Sequence, residues 1–141
     1  MQTDEPTPER ILELGQGFWA SKVLLSAISL GLFTELERSG PSTVEELEAA
    51  LGLHPRGSRD FLDALVALDL LERGEYEYRN TPEASTFLVA GKPTSFVGWF
   101  RMVDERLYPF WGDLETALRT GAPQNELEDD ETHPFEGVIY H

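Results

Sequence analysis

The 141-residue chain has no cysteine. Disulfides, thiolate nucleophiles and cysteine-built zinc sites are therefore excluded within it. Positive charge is scarce: 11 Lys and Arg stand against 26 Asp and Glu, a formal net charge of −15. A field of that sign repels nucleic acid and anionic membranes, which are held through basic surfaces. Histidine is nearly absent. His54, His133 and His141 are the whole set, and no two have the spacing that puts zinc ligands on one helix face. The apolar runs fall far short of a bilayer span. The opening Met1–Pro6 is acidic and polar, unlike a signal peptide. These absences point to a cytoplasmic protein with no nucleic-acid and no membrane partner.

What is present is enough for one packed domain. Apolar residues make up 40% and aromatics 11% of the chain, which argues against global disorder. Residues 1–6 read as a flexible tail. Thr7 and Pro8 look like a helix cap and first turn. Ile11, Leu14, Phe18, Leu25, Ile28 and Leu32 fall near one helical stripe, with Gly15 and Gly17 weakening its middle. The pattern predicts two helices, or one bent helix, from Pro8 to Leu30. From Phe18 to Phe33 the segment is apolar on nearly every side. It is either the central helix of a small core or a helix partly covered by a second chain.

A short extra turn is expected over Gly31–Glu37, broken by Ser39-Gly40-Pro41. Ser42 with Glu45 reads as a capping box opening a helix that buries Val44, Leu47 and Leu51 and ends at Gly52. The next helix runs from Pro55 to Leu70, with Phe61, Leu62, Leu65, Val66 and Leu68 facing inward. Only Gly52-Leu53-His54 separates the two, the length of a helix-turn-helix connection. Two short strands follow, Leu71–Arg73 and Tyr76–Arg79, around a tight glycine turn. Helix, helix, hairpin is the order of a winged helix, at about residues 42–81. Thr81-Pro82 caps a short helix to about Leu88. A longer helical region begins at Ser95, is interrupted near Pro109 and resumes to Arg119. Residues 122–141 read as an acidic linker followed by the start of another element.

Sites with reactive groups are hard to assemble from these residues. Gly15-Gln16-Gly17 lies within an amphipathic segment, not between a strand and a helix, so it does not read as a nucleotide-binding turn. His54 precedes Pro55 in an interhelical turn and reads as a local cap or a solvent-facing group. Glu126, Glu128, Asp129, Asp130 and Glu131 lack the spacing and glycine of an EF-hand and read as a solvated linker. We expect no catalytic, cofactor-binding or metal-binding residue in this chain. A winged-helix DNA-binding regulator is the alternative, with Arg56 and Arg59 on the recognition helix and Arg73 and Arg79 on the wing. Asp60, Asp63, Asp69, Glu72, Glu75 and Glu77 crowd that surface and oppose phosphate contact. Large apolar side chains remain: Phe18, Trp19, Trp99, Phe100, Met102 and Trp111 are many for a domain this size. Such groups enrich protein interfaces and small-molecule pockets.

Several segments, in order, carry a family resemblance. They are Ala27-Ile28-Ser29-Leu30-Gly31-Leu32-Phe33-Thr34-Glu35-Leu36, Thr43-Val44-Glu45-Glu46-Leu47 with Leu51-Gly52-Leu53, and Arg59-Asp60-Phe61-Leu62-Asp63-Ala64-Leu65-Val66-Ala67-Leu68. Leu70-Leu71-Glu72-Arg73, Tyr78-Arg79-Asn80-Thr81-Pro82-Glu83-Ala84 and Leu118-Arg119-Thr120-Gly121 complete the run. The set resembles the N-terminal domain of S-adenosylmethionine-dependent O-methyltransferases of the caffeate, hydroxyneurosporene and polyketide-tailoring type. The resemblance implies a mainly α, winged-helix-like dimerisation domain over residues 7–121, with a small β-hairpin and flanking helices. It implies a homodimer whose contacts include Phe18, Trp19, Val23, Leu24 and Ile28. It also implies a substrate cap of Trp99, Phe100, Met102, Val103 and Trp111 over a small hydroxylated aromatic acceptor. In that family the methyl-donor site and a histidine base lie in a following α/β domain, which is missing from this chain. S-adenosylmethionine is thus implied for the complete enzyme only, and His133 and His141 are not candidates for the base.

Overall fold

A computed structural model describes residues 5–123. The expectations for the acidic run, His133 and His141 lie outside them. The order is α1 (Glu9–Leu30), α2 (Leu32–Ser39), α3 (Val44–Leu51), α4 (Pro55–Ala67), β1 (Leu71–Arg73), β2 (Tyr78–Asn80), α5 (Pro82–Phe87) and α6 (Val97–Met102). A π-helical turn (Val103–Leu107), α7 (Tyr108–Trp111) and α8 (Leu114–Thr120) follow. The architecture is mostly helical with one two-stranded antiparallel hairpin, as the winged-helix order predicts.

α1 is one continuous 22-residue helix, not two. A helix of that length spans about 33 Å, the scale of a small domain. Gly15 and Gly17 do not break it. Helix glycines cost about 1 kcal/mol each relative to alanine, and the far half is anchored in the core. Pro8, not Thr7, is the N-cap, and no side chain caps the helix. At the other end Gly31 takes the left-handed conformation (φ 78°), which a residue with a Cβ adopts only with strain. That residue lets α2 start at once, bent by 53° from α1. α2 is therefore a full eight-residue helix where the sequence suggested a turn.

The capping box falls one residue later than expected. Thr43 accepts from the Glu46 N–H at 3.2 Å, and Glu46 Oε1 accepts from the Thr43 N–H at 3.1 Å. Ser42 instead pairs with the hairpin: its N–H donates to the Tyr78 carbonyl at 3.0 Å and its carbonyl accepts from the Tyr78 N–H at 2.8 Å. His54 caps α4 through Nδ1, which accepts from the Arg56 N–H at 3.0 Å. α4 ends at Ala67, short of Leu70, because Asp69 is left-handed (φ 62°). The chain turns away there, and Leu68 stays on the surface instead of facing inward. In the hairpin Leu71 faces Asn80, Glu72 faces Arg79 and Arg73 faces Tyr78. The link between the strands is four residues, longer than the tight turn foreseen. Thr81 caps α5 as predicted, accepting from the Ala84 N–H at 3.3 Å.

The core is continuous. Ala27, Ile28, Leu32, Phe33 and Leu36 from α1 and α2 meet Val44, Leu47, Leu62 and Leu65 from α3 and α4. Leu71, Tyr78, Ala84, Leu88, Val89 and Val97 close it from the hairpin and the segments beyond. Leu32, Leu62, Leu65, Ala27 and Ala84 have no exposed surface. Polar bonds seat the elements around it. Ser58 donates to Glu48 at 2.8 Å between α4 and α3, and Asn80 Nδ2 donates to the Phe33 carbonyl at 2.9 Å.

Candidate assembly and cap surface

The stripe that builds the core also runs out of it. Leu25 and Ile28 are 4% and 3% exposed, whereas Ile11, Leu14 and Phe18 on the same face are 73%, 68% and 51% exposed. Every residue from Glu9 to Lys22 is exposed. Trp19 adds to this face, its ring 5.3 Å from that of Phe18 and tilted by 58°. Among the described residues, this face of α1 is an exposed row of apolar side chains at helical spacing.

The five residues assigned to assembly divide accordingly. Phe18 and Trp19 are open. Val23 and Leu24 are half-buried and pack on the core. Ile28 is enclosed by its own protomer, so the exposed face lies N-terminal to it. Ile11 and Leu14 belong to that face. The sequence placed both on the stripe, but a stripe alone does not tell which turns lie outside the core.

The residues expected to form a cap occupy the segment from α6 to α7. Trp99 and Trp111 are exposed, and Met102 and Val103 are half-buried. Phe100 turns inward onto the core, its ring 6.4 Å from Phe96, which in turn lies 6.0 Å from Phe87. The fold brings this segment against α1. Lys22 Nζ reaches Asp104 Oδ1 at 2.6 Å and lies 5.1 Å from the centre of the Tyr108 ring. No local pattern reveals that link, because Lys22 and Asp104 are 82 residues apart. Beyond α7, Leu114 and Leu118 leave more apolar surface open on α8.

The arginines of the wing are bonded to acidic neighbours. Arg73 Nη1 donates to both Asp63 oxygens at 2.9 and 3.0 Å, and Arg79 Nε donates to Glu72 at 3.0 Å. Both wing arginines thus sit in ion pairs with their own neighbours. Tyr78 also donates to Asp63 Oδ1 at 2.7 Å. Burial, and then the bond and charge of Asp63, push the Tyr78 hydroxyl above its ordinary value of 10.0. On α2, hydrogen bonds from Ser85 and Lys92 hold Glu37 below its ordinary value of 4.5.

The Gly15-Gln16-Gly17 run does not form a nucleotide-binding turn. A dinucleotide- or sulfonium-binding α/β site needs a strand feeding a glycine turn at a helix start. Here Gly15 and Gly17 lie inside α1, and a Cβ added at either would meet nothing within 4 Å, so neither lines a cradle. No group of three or more His, Cys, Asp or Glu among the described residues is placed to hold a metal ion. No single described helix is long and apolar enough to cross a membrane.

The fold is a winged-helix-like module whose first helix leaves its N-terminal half exposed. Residues 12–90 match the O-methyltransferase dimerisation domain. The chain belongs to that family and corresponds to the N-terminal dimerisation domain of S-adenosylmethionine-dependent O-methyltransferases. It is 50% identical over 118 residues to the tetracenomycin polyketide synthesis 8-O-methyl transferase TcmO of Streptomyces glaucescens, covering 83% of this chain and 34% of TcmO. It is 42% identical over 112 residues to the N,N-dimethyltransferase OxyT of Streptomyces rimosus, covering 79% of this chain and 32% of OxyT. Its fold matches human N-acetylserotonin methyltransferase, solved with S-adenosylmethionine, at a TM-score of 0.74 and 34% identity, over 86% of this chain and 37% of that one. The chain spans about a third of the length of the curated relatives it matches. Their catalytic portion is not included in these 141 residues.

Proposed function

We propose that this chain is the dimerisation and substrate-cap module of a methyltransferase acting on a small hydroxylated aromatic or polyketide-like acceptor, and that it transfers no methyl group by itself. The observation that carries this reading is the exposed first half of α1, with Ile11, Leu14, Phe18 and Trp19 uncovered on one helix. In a homodimer those side chains find cover. Burying each contributes about 1.5–3 kcal/mol before the cost of association. Val23 and Leu24 carry the contact toward the core.

Trp99, Met102, Val103 and Trp111 supply the second role. Methyl transfer from a sulfonium requires the acceptor atom to be aligned and shielded from water. A wall of indole and thioether groups gives shape and dryness, and Phe100 braces it from behind. The name of TcmO supports an oxygen acceptor on a polyketide, while OxyT is named as an N,N-dimethyltransferase. The cofactor of the whole enzyme is S-adenosylmethionine, as in the solved human relative. A cytoplasmic location accompanies this reading.

The DNA-binding reading is disfavoured by the two wing arginines, already engaged by Asp63 and Glu72. Sedimentation of the 141-residue chain across micromolar concentrations tests the main proposal. A concentration-dependent dimer is expected, and a strict monomer at the highest concentrations would overturn it. Calorimetry with S-adenosylmethionine is expected to show no binding; measurable binding would refute the claim that the donor site lies elsewhere.

A further inference from the structure

Lys22 sits on the last fully exposed turn of α1, where the assembly face meets the core. Its ammonium group bonds Asp104 at 2.6 Å and lies 5.1 Å from the Tyr108 ring centre. The two partners are unequally placed. The Asp104 side chain is only 13% exposed and that of Lys22 49%. A carboxylate so well covered depends on its cation, because removing one partner leaves an uncompensated charge out of water.

Asp104 lies in the π-helical turn Val103–Leu107. Bonding of residue i to i+5 adds one residue to a helical turn. An added residue rotates everything after it by about 100° around the helix axis. The π turn therefore sets the direction in which Tyr108–Trp111 leave α6. A bond from α1 to Asp104 holds the turn that aims Trp111.

We infer that Lys22 and Asp104 are positioning residues: their ion pair, backed by the Tyr108 ring, fixes the cap segment against the assembly helix. The roles of the two elements rest on the function proposed above, but the link itself is read from distances and burial. Each residue acts through the placement of Trp111.

Hydrogen-exchange mass spectrometry on the full 141-residue chain tests this, with K22M, K22R, K22D and the swapped pair K22D/D104K. In K22M, amides of residues 103–111 are expected to exchange at least about tenfold faster, with those of 44–66 unchanged. K22R should restore native protection, and the swapped pair should recover protection that K22D alone loses. Native protection of 103–111 in K22M would overturn the inference. So would an equal loss across 44–66, which would mark a global rather than a local effect. Sedimentation of the native chain separates the two readings. A monomeric native chain defeats the dimerisation proposal, whereas the exchange result judges the ion pair in either oligomeric state.

Discussion

The Tyr78 hydroxyl donates a 2.7 Å hydrogen bond to Asp63 Oδ1, fastening the second strand of the hairpin to α4. Arg73 completes the cluster, bonding both Asp63 oxygens and lying 5.4 Å from the Tyr78 ring centre. Tyr78 is 2% exposed, so this contact sits at the edge of the core. It fixes the winged-helix geometry from which α5 and α6 continue.

Tyr78→Phe is expected to lower stability by about 1.5–3 kcal/mol, the range for a hydrogen bond to a charged group. It should also change the alkaline limb. The folded-state pKa of Tyr78 lies above its ordinary 10.0. Its contribution is therefore full below pH 10 and is lost as pH rises through the folded-state value. Chemical denaturation at neutral pH and at a series of alkaline pH values checks both points. A variant with native stability and the native alkaline slope would contradict them.

Glu37 gives the opposite sign. Its pKa is lowered from 4.5 by hydrogen bonds from Ser85 and Lys92. Its contribution is present above pH 4.5 and fades as pH falls through the lower folded-state value. Glu37→Gln should flatten the acid limb of stability slightly, because the group is exposed and screened. Thermal melts between neutral and strongly acidic pH read this out, and an unchanged acid limb would count against the assignment.

Trp19→Ser is expected to weaken self-association by at least about tenfold while leaving the melting temperature of the monomer near native. Trp19 is 59% exposed and contributes little to the protomer's own packing. Sedimentation equilibrium measures the association constant. An unaltered constant would move the contact away from this part of α1.

Leu62→Ala should cost about 2–5 kcal/mol through lost burial and the cavity left behind. Leu62 has no exposed surface and lies among residues of the continuous core. Leu68→Ala, just past the end of α4, should cost far less, since Leu68 is 39% exposed. Denaturant unfolding of the pair checks the contrast, and similar losses would refute the assigned end of α4.

Local chemistry made part of this legible in advance. The proline after Thr81, the glycine after Leu51 and the His54-Pro55 pair mark helix ends through effects confined to a few residues. Ser42 and Thr43 show the limit of such signals. Either hydroxyl suits a cap, and only the strand pairing of Ser42 with Tyr78 decides between them. Likewise the apolar stripe on α1 was visible, but not the point where it leaves the core between Phe18 and Leu25.

Helix order, the hairpin and the acidic balance follow from neighbours in the chain, because period, capping and charge act over short separations. The link from Lys22 to Asp104, the enclosure of Ile28 and the exposure of Ile11 and Leu14 were decided by tertiary packing. They depend on which distant surfaces meet. Residue spacing along one helix carries no information about where another helix will lie across it.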